Sequence, residues 1–346
     1  MTRKLLYVIG FAAVLALPQV LPEELNWLIM LLDRALMIAI VAIGLNILTG
    51  NAGQISLGHA AFMGFGAFVC YGLTDIIGVP FWFSVPIAGF VAAILGWGLG
   101  FPALRLSGHY LAIATLGFGY AIPQILNLFE GWTGGWTGVK PSVPTLFGIS
   151  FSSDRAYFYL ILVTLVVLVW IARNIQRSAV GRAFIALRDS EVAAQAMGIS
   201  LAKYKTMAFA ISAFYAGVAG GLWAHWLNYI SPGNFGFGIS IELFTIIVLG
   251  GLGTVSGAIV GALFLGLLPK LTEIISLSLQ RSGAFADSFF MQNVFKNSNQ
   301  VLTGVILILV VLYLPMGLVD LWRKARVWWE TRRQAAGRQA VPRGVK

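Results

Sequence analysis

The sequence predicts an all-α protein, a polytopic bundle of membrane-spanning helices. Of its 346 residues, 58% are hydrophobic and only 10% are charged, and the mean hydropathy is +0.85. A soluble domain carries roughly 25% charged residues, so this composition excludes an ordinary water-soluble enzyme. The apolar residues form long continuous runs, unlike the alternating pattern of an outer-membrane barrel. Glycine accounts for 40 residues, and small residues let helix backbones approach closely in lipid.

Apolar runs of about 20 residues are long enough to cross a bilayer as helices, and they predict about ten transmembrane helices. The expected spans are 5–21, 27–48, 55–74, 82–104, 108–128, 156–172, 206–229, a broken pair within 241–268, and 300–319. Glycines interrupt the broken pair at 250–261, and the stretch is too short for two ordinary spans. No small-x-small cleavage site follows the first span, so we expect an uncleaved helix there.

The distribution of basic residues predicts the orientation of the chain, because cytoplasmic segments are rich in lysine and arginine. Most of these residues lie near the two ends and in 173–205, which an even number of spans places on one side. We therefore expect a multi-pass protein with both termini in the cytoplasm. Residues 1–322 would form the membrane domain, with a cytoplasmic loop at about 173–205, and 323–346 a basic cytoplasmic tail. Proximity to membrane lipid explains the net charge of +10 without nucleic acid.

The inward loop, 173–205, contains the signals of a short helix. Asp189 or Ser190 can cap its start, Glu191 lies in its first turn, and Gly198 can end it. The expected helical stretches are 182–188 and 191–197. Composition alone leaves two interpretations open: a solvated connector, or a helix that docks in a groove of a partner protein.

Several separated motifs give the chain a family resemblance. One resembles the EAA loop of bacterial ABC importer permeases, through Gly181, Glu191, Ala193, Ala194, Gly198 and Ile199. Others resemble the branched-chain amino acid ABC transporter permease family, in its LivM-type branch: GLNILTGNAGQISLGHAAFMGFGAF (44–68), LRLSGHYLAIATLGFG (104–119), TGGWTG (133–138) and IVLGGLGTVSGAIVGA (247–262). The resemblance covers about 44–268 and is specific, because the motifs occur in order.

This resemblance implies a permease subunit of an ATP-driven importer in the bacterial inner membrane. Its implied partners are a second, LivH-type permease, two cytoplasmic ATPase subunits and a periplasmic substrate-binding protein. The implied substrate is a branched-chain amino acid, or in related importers urea, an amide or an aromatic acid, carried inward by alternating access. The sequence has no G-x-x-x-x-G-K-S/T phosphate loop. We therefore expect ATP-Mg on the partner ATPases, and no catalytic residue or cofactor on this chain.

The resemblance also implies that the inward loop couples the permease to its ATPases. The residues assigned to this role are Gly181, Arg182, Arg188, Asp189, Glu191, Ala193, Ala194, Gly198 and Ile199. Two alternatives stay open. A channel or ion-coupled transporter without ATPases would tolerate charge changes in 181–199, although no acidic residue lies convincingly at mid-membrane for proton coupling. A structural subunit would leave the substrate path to the second permease.

Two glycine-interrupted regions, 49–66 and 250–261, are candidates for the substrate path. Broken helices expose backbone groups only where they line a cavity or are buried in protein. An L-x-G-x-x-G-like element in each region indicates corresponding places in the two halves of the chain. The candidate path residues are Asn51, Gly53, Gln54, Ser56, Gly58, His59, Thr115, Gly250, Gly251, Gly253 and Thr254. Tight helix packing through small residues is the alternative interpretation. The three histidines have no metal-ligand spacing.

Overall fold

The fold is described from a computed structural model of the chain. It describes residues 15–106, 108–146, 149–281, 304, 308–309, 312 and 317–320. The predicted spans 5–21 and 300–319 lie largely outside the described residues, and the tail 323–346 lies wholly outside them.

The architecture is a bundle of helices joined by short connections. The main helices are α1 (Asn26–Asn46), α2 (His59–Tyr71), α3 (Phe81–Gly100), α4 (His109–Leu128), α5 (Asp154–Arg177), α6 (Ala179–Asp189), α7 (Glu191–Ala196), α8 (Leu201–Leu227), α9 (Phe237–Gly250) and α10 (Val255–Arg281). Shorter elements are π-helical turns at Ile47–Asn51 and Gly72–Ile76, helical turns at Glu23–Leu25, Pro102–Leu104, Glu130–Thr133, Gly135–Thr137 and Pro232–Phe235, and an antiparallel pair of two-residue strands, β1 (Thr145–Leu146) and β2 (Ile149–Ser150).

The helical multi-pass prediction is confirmed. Seven of the described helices are long and apolar enough to cross a membrane, so the count of about ten is not reached within the described residues. Several helices extend beyond their predicted ends. For example, α5 runs from Asp154 to Arg177 and α8 begins at Leu201. The reason is that helical hydrogen bonding continues into flanking polar residues, whereas the prediction ended with the apolar run.

One predicted span is a broken element instead of a continuous helix. The span expected at 55–74 begins as a non-helical segment, 52–58, and continues as the 13-residue helix α2. Gly53, within this segment, has a φ of +71°, a left-handed conformation that glycine adopts without strain. Irregular backbone at membrane depth must be covered by protein or line a cavity, and here most of the segment is buried.

The prediction of a broken pair within 241–268 was right about the break and wrong about the bounds. Two helices are interrupted at 251–254, but α9 and α10 have 14 and 27 residues and both belong to span-length candidates. Helix α10 continues through Pro269 to Arg281, well past the predicted limit. Prolines are tolerated inside membrane helices because neighbouring groups satisfy the freed backbone. Residues 269–281 therefore belong to α10.

Helices α1 and α8 form the centre of the bundle. The apolar windows of these two spans are 72% and 78% buried, against at most 50% in the other spans. Helix α8 packs along α1, α2 and α3. Glycines make these contacts close: Gly66 of α2 lies against Gly217 of α8, and a Cβ at Gly220 would overlap the carbonyl oxygen of Met63. This is the close packing that the glycine content predicts.

Replacing Gly220 by alanine should therefore destabilise the bundle. The new Cβ would force α2 away from α8, at a cost of about 1–3 kcal/mol. The matched control is Gly98→Ala, because nothing lies within 4 Å of a Cβ at that position and alanine favours the helix by up to about 1 kcal/mol. Thermal unfolding in detergent should give a lower midpoint for the first variant only. Equal midpoints would contradict this packing.

Candidate functional site

The connection between α5 and α8 folds as two capped helices, α6 and α7. The Ser178 hydroxyl accepts hydrogen bonds from the backbone N–H groups of Val180 and Gly181, which caps α6. The Ser190 hydroxyl accepts from Ala193 N at 3.2 Å and caps α7. The helices predicted at 182–188 and 191–197 are confirmed, the first being longer than expected. We call the end of the bundle that carries this connection the loop end.

The end of α7 is fixed by a left-handed glycine. Gly198 has a φ of +80°, and its N–H donates to Gln195 O at 3.0 Å. Ile199 N donates to Ala194 O, also at 3.0 Å. These two bonds form a Schellman motif, which satisfies the free carbonyls at a helix C-terminus. Gly198 therefore ends α7, as the sequence predicted.

Glu191 holds α7 against α8 by an ion pair. Its Oε1 lies 2.7 Å from Nζ of Lys205, whose side chain is only 4% exposed while that of Glu191 is 42% exposed. An ammonium so fully removed from water depends on its partner. Glu191 therefore positions α7, and its charge is directed towards the bundle.

The predicted coupling residues divide into a buried and an exposed set. Those buried or partly buried against the bundle are Gly181, Glu191, Ala194 and Ile199, and those exposed are Arg182, Arg188, Asp189, Ala193 and Gly198. Sequence reasoning missed two exposed apolar side chains of the same connection, Val192 and Met197, which are 81% and 82% exposed. We call Val192, Ala193 and Met197 the loop face. Their exposed apolar area makes these side chains candidates for contact with a partner.

The two glycine-rich turns predicted as path elements meet at the loop end. They are 50–53, after α1, and 250–254, between α9 and α10, and a Cβ at Gly50 would overlap the backbone nitrogen of Gly253. Asn46, at the end of α1, binds the second turn: its Nδ2 donates to Thr254 O, and its Oδ1 accepts from Gly253 N, both at 2.7 Å. Asn46 was not among the predicted residues, although an amide in an apolar span is a signal for interhelical bonding.

Side chains of α5 and α6 bind this pair of turns. At the end of α5, Gln176 Nε2 donates to Asn51 Oδ1 at 3.1 Å and to Gly253 O at 3.4 Å. From α6, Arg188 Nη1 donates to Gly50 O at 3.1 Å, while its Nε and Nη2 donate to neighbouring Asp189. Arg188 therefore connects α6 with the first turn.

The remaining glycines and Thr254 stabilise the second turn. The Thr254 hydroxyl donates to Gly251 O and accepts from Gly257 N, both at 3.1 Å, so it caps α10. Gly251 has a φ of +123°, and a Cβ at Gly250 would overlap the carbonyl oxygen of Gly257. These residues fix the turn between two closely packed helices.

A second group of predicted path residues lies around the start of α2. His59 is fully buried, with its Nδ1 3.2 Å from the Ser56 hydroxyl and its Nε2 2.6 Å from the Ser212 hydroxyl on α8. The Thr115 hydroxyl accepts from Leu57 N at 3.0 Å and donates to Ala112 O. A Cβ at Gly58 would overlap the carbonyl oxygen of Thr115. These contacts satisfy the irregular backbone that precedes α2.

Gln54 differs from its neighbours because its side chain is buried without a partner. The residue is 3% exposed, and neither carboxamide atom has a hydrogen-bond partner among the described residues. Its backbone is held, since its N–H donates to Leu48 O and its carbonyl accepts from the Thr49 hydroxyl at 3.0 Å. An unpaired buried amide costs about 1–3 kcal/mol, so Gln54 is a site where a polar group from outside the chain would be stabilised.

The described residues contain seven helices long and apolar enough to span a bilayer. These helices define a multi-pass membrane protein. Residues 27–311 match the family model described as branched-chain amino acid transport system / permease component. The chain belongs to this family, which confirms the resemblance drawn from its motifs. No solved structure matches the chain significantly.

Curated relatives extend the similarity over most of the chain. The high-affinity branched-chain amino acid transport system permease protein LivM of Escherichia coli K12 is 35% identical over 308 residues, 82% of this chain and 68% of the relative. The LivH permease protein of the same strain is 26% identical over 303 residues, 81% and 90% of the two chains. The autoinducer 2 import system permease protein LsrC of Klebsiella pneumoniae is 30% identical over 191 residues, 52% and 50%.

Proposed function

We propose that the chain is the LivM-type permease subunit of an ATP-driven importer that carries branched-chain amino acids into the cell. The observation that carries the proposal is the family match over 27–311, combined with a capped helical loop that presents an apolar surface. The greater identity to LivM than to LivH favours the first type. A second, LivH-type permease would complete the membrane part.

The loop face is the proposed docking surface for a cytoplasmic ATPase. A short helix that exposes apolar side chains fits into a groove of a partner protein, and Val192 and Met197 supply such side chains. Two ATPase subunits would bind ATP-Mg and drive alternating access, and a periplasmic binding protein would deliver the substrate. The loop end is then cytoplasmic, as are both termini in the arrangement of about ten spans.

The substrate path is proposed to pass Gln54. Among the candidate path residues with polar side chains, those of Asn51, Ser56, His59, Thr115 and Thr254 are already occupied by hydrogen bonds within the chain. The carboxamide of Gln54 is free to bind an ammonium or carboxylate group, which every amino acid carries. A branched aliphatic side chain would lie along the surrounding apolar helices.

Uptake measurements test this function. Cells that lack the gene should take up labelled leucine, isoleucine or valine at the normal rate only when the full chain is restored. Uptake should persist after a protonophore if cellular ATP is maintained, because ATP and not the proton gradient drives it.

Other outcomes would identify the alternatives. Uptake of urea, acetamide or benzoate, without leucine uptake, would assign the chain to a related importer. Uptake that stops with the protonophore while ATP stays high would contradict the ATP-driven mechanism.

A further inference from the structure

The turns 50–53 and 250–254 touch each other, and we call this contact the latch. Its members meet backbone to backbone, with Gly50 against Gly253. Asn51 Nδ2, in the first turn, donates to Gly253 O in the second at 3.4 Å, and Asn46, at the end of α1, makes two further hydrogen bonds to the second turn. The connection is polar, so water can replace it on opening at little net cost per bond.

The latch is attached to the connection that carries the loop face. Arg188 on α6 donates to Gly50 O, and a Cβ at Gly53 would lie 3.0 Å from Cα of Arg188. Gln176, at the end of α5 just before α6, donates to both turns. A displacement of α6 must therefore either move Gly50 with it or break the bond from Arg188.

The residue next to the latch in the chain, Gln54, has an unpaired carboxamide. It follows Gly53 directly in the chain, and its buried side chain has no hydrogen-bond partner among the described residues. A polar group in this state gains hydrogen bonds as soon as water or a polar solute reaches it. Opening the latch would give it that access.

We propose that the turns 50–53 and 250–254 form the cytoplasmic gate of the substrate path, and that Arg188 on α6 and Gln176 at the end of α5 are positioning residues that hold it closed until the loop moves. This inference rests on the proposed function, because it takes an ATPase on the loop face as the source of motion. It gives the glycine-rich turns a role distinct from substrate binding. Arg188 binds the first turn and not the ATPase. The ATPase would dock on Val192, Ala193 and Met197.

A single cysteine reports the state of the gate. Gln54→Cys, with the buried native Cys70 replaced by alanine, is labelled by a charged maleimide in inside-out vesicles that contain the assembled importer. We expect Arg188→Ala to raise the labelling rate about tenfold or more, since it removes a charge-assisted bond that holds the first turn in place. Gln176→Ala should act in the same direction. The control is Arg173→Ala, which removes an exposed positive charge from α5 at the same end.

The same vesicles distinguish a failure of the proposed gate from a failure of the proposed function. Equal labelling rates in the Arg188→Ala and Arg173→Ala proteins, with ATPases bound in both, would contradict the proposed gate. Absence of any ATPase from the parent complex would overturn the proposed function itself. If Gln54→Cys does not assemble, Ala52→Cys is the second reporter, because Ala52 lies in the first turn and is 4% exposed.

Discussion

Replacing Val192 and Met197 together by aspartate is expected to abolish ATP-driven uptake while the helical bundle stays folded. Both side chains are more than 80% exposed, so the change removes little internal packing. In the complex, each would place a carboxylate in an apolar interface. Loss of an interface hot spot costs about 2 kcal/mol or more, which is about 30-fold in affinity for each residue.

The measurement is the amount of ATPase retained when the tagged permease is purified from membranes. Val143→Asp is a suitable control, because it makes the same change at an exposed apolar residue outside the loop. The control should retain the ATPases and the double variant should lose them. Full retention with normal uptake in the double variant would place the docking surface elsewhere.

Replacing Glu191 by lysine is expected to reduce uptake at least tenfold without preventing membrane insertion. Two ammonium groups would then face each other where Glu191 and Lys205 now lie 2.7 Å apart. The stabilisation lost with this ion pair falls between the ~0–1 kcal/mol of a surface pair and the ~3–5 kcal/mol of a buried pair, because Glu191 is partly exposed. We expect α7 to leave its place on α8, so that ATP hydrolysis continues but no longer drives transport.

A charge exchange tests this explanation. Combining Glu191→Lys with Lys205→Glu restores an attractive pair and should recover a large part of the uptake. If the exchanged protein is as inactive as the single variant, Glu191 acts by contacting the ATPase and not by positioning α7. If the single variant shows normal uptake, the loop has no coupling role.

Local features of the loop were predictable from the sequence. The caps of α7 depend on neighbouring residues, Ser190 and Gly198, and the structure has both where the sequence placed them. The existence of apolar spans is equally local, because it follows from composition over about 20 residues. Helix ends were less predictable, since α10 continues through Pro269 and polar residues that carry no apolar signal.

Contacts between distant residues were not predictable. The sequence indicated that 49–66 and 250–261 occupy corresponding places, but not that Gly50 and Gly253 touch. The partner of His59, Ser212, lies 153 residues away, and the Ser240 hydroxyl that accepts from Ala60 N lies 180 residues away. A serine inside a helix has no local signal for such a role. Only the packed bundle separates the satisfied candidates from Gln54, whose side chain is left unpaired.

Purification of the tagged chain from its native membrane in mild detergent, with mass spectrometry of what accompanies it, tests the central claim most directly. The account predicts a second permease of the same family together with one or two ATPase subunits, all of which should remain after extensive washing. The ATPases should be lost selectively from the Val192→Asp, Met197→Asp protein while the second permease remains. Recovery of the chain alone, or only with copies of itself, would contradict the importer and the coupling role of α6 and α7.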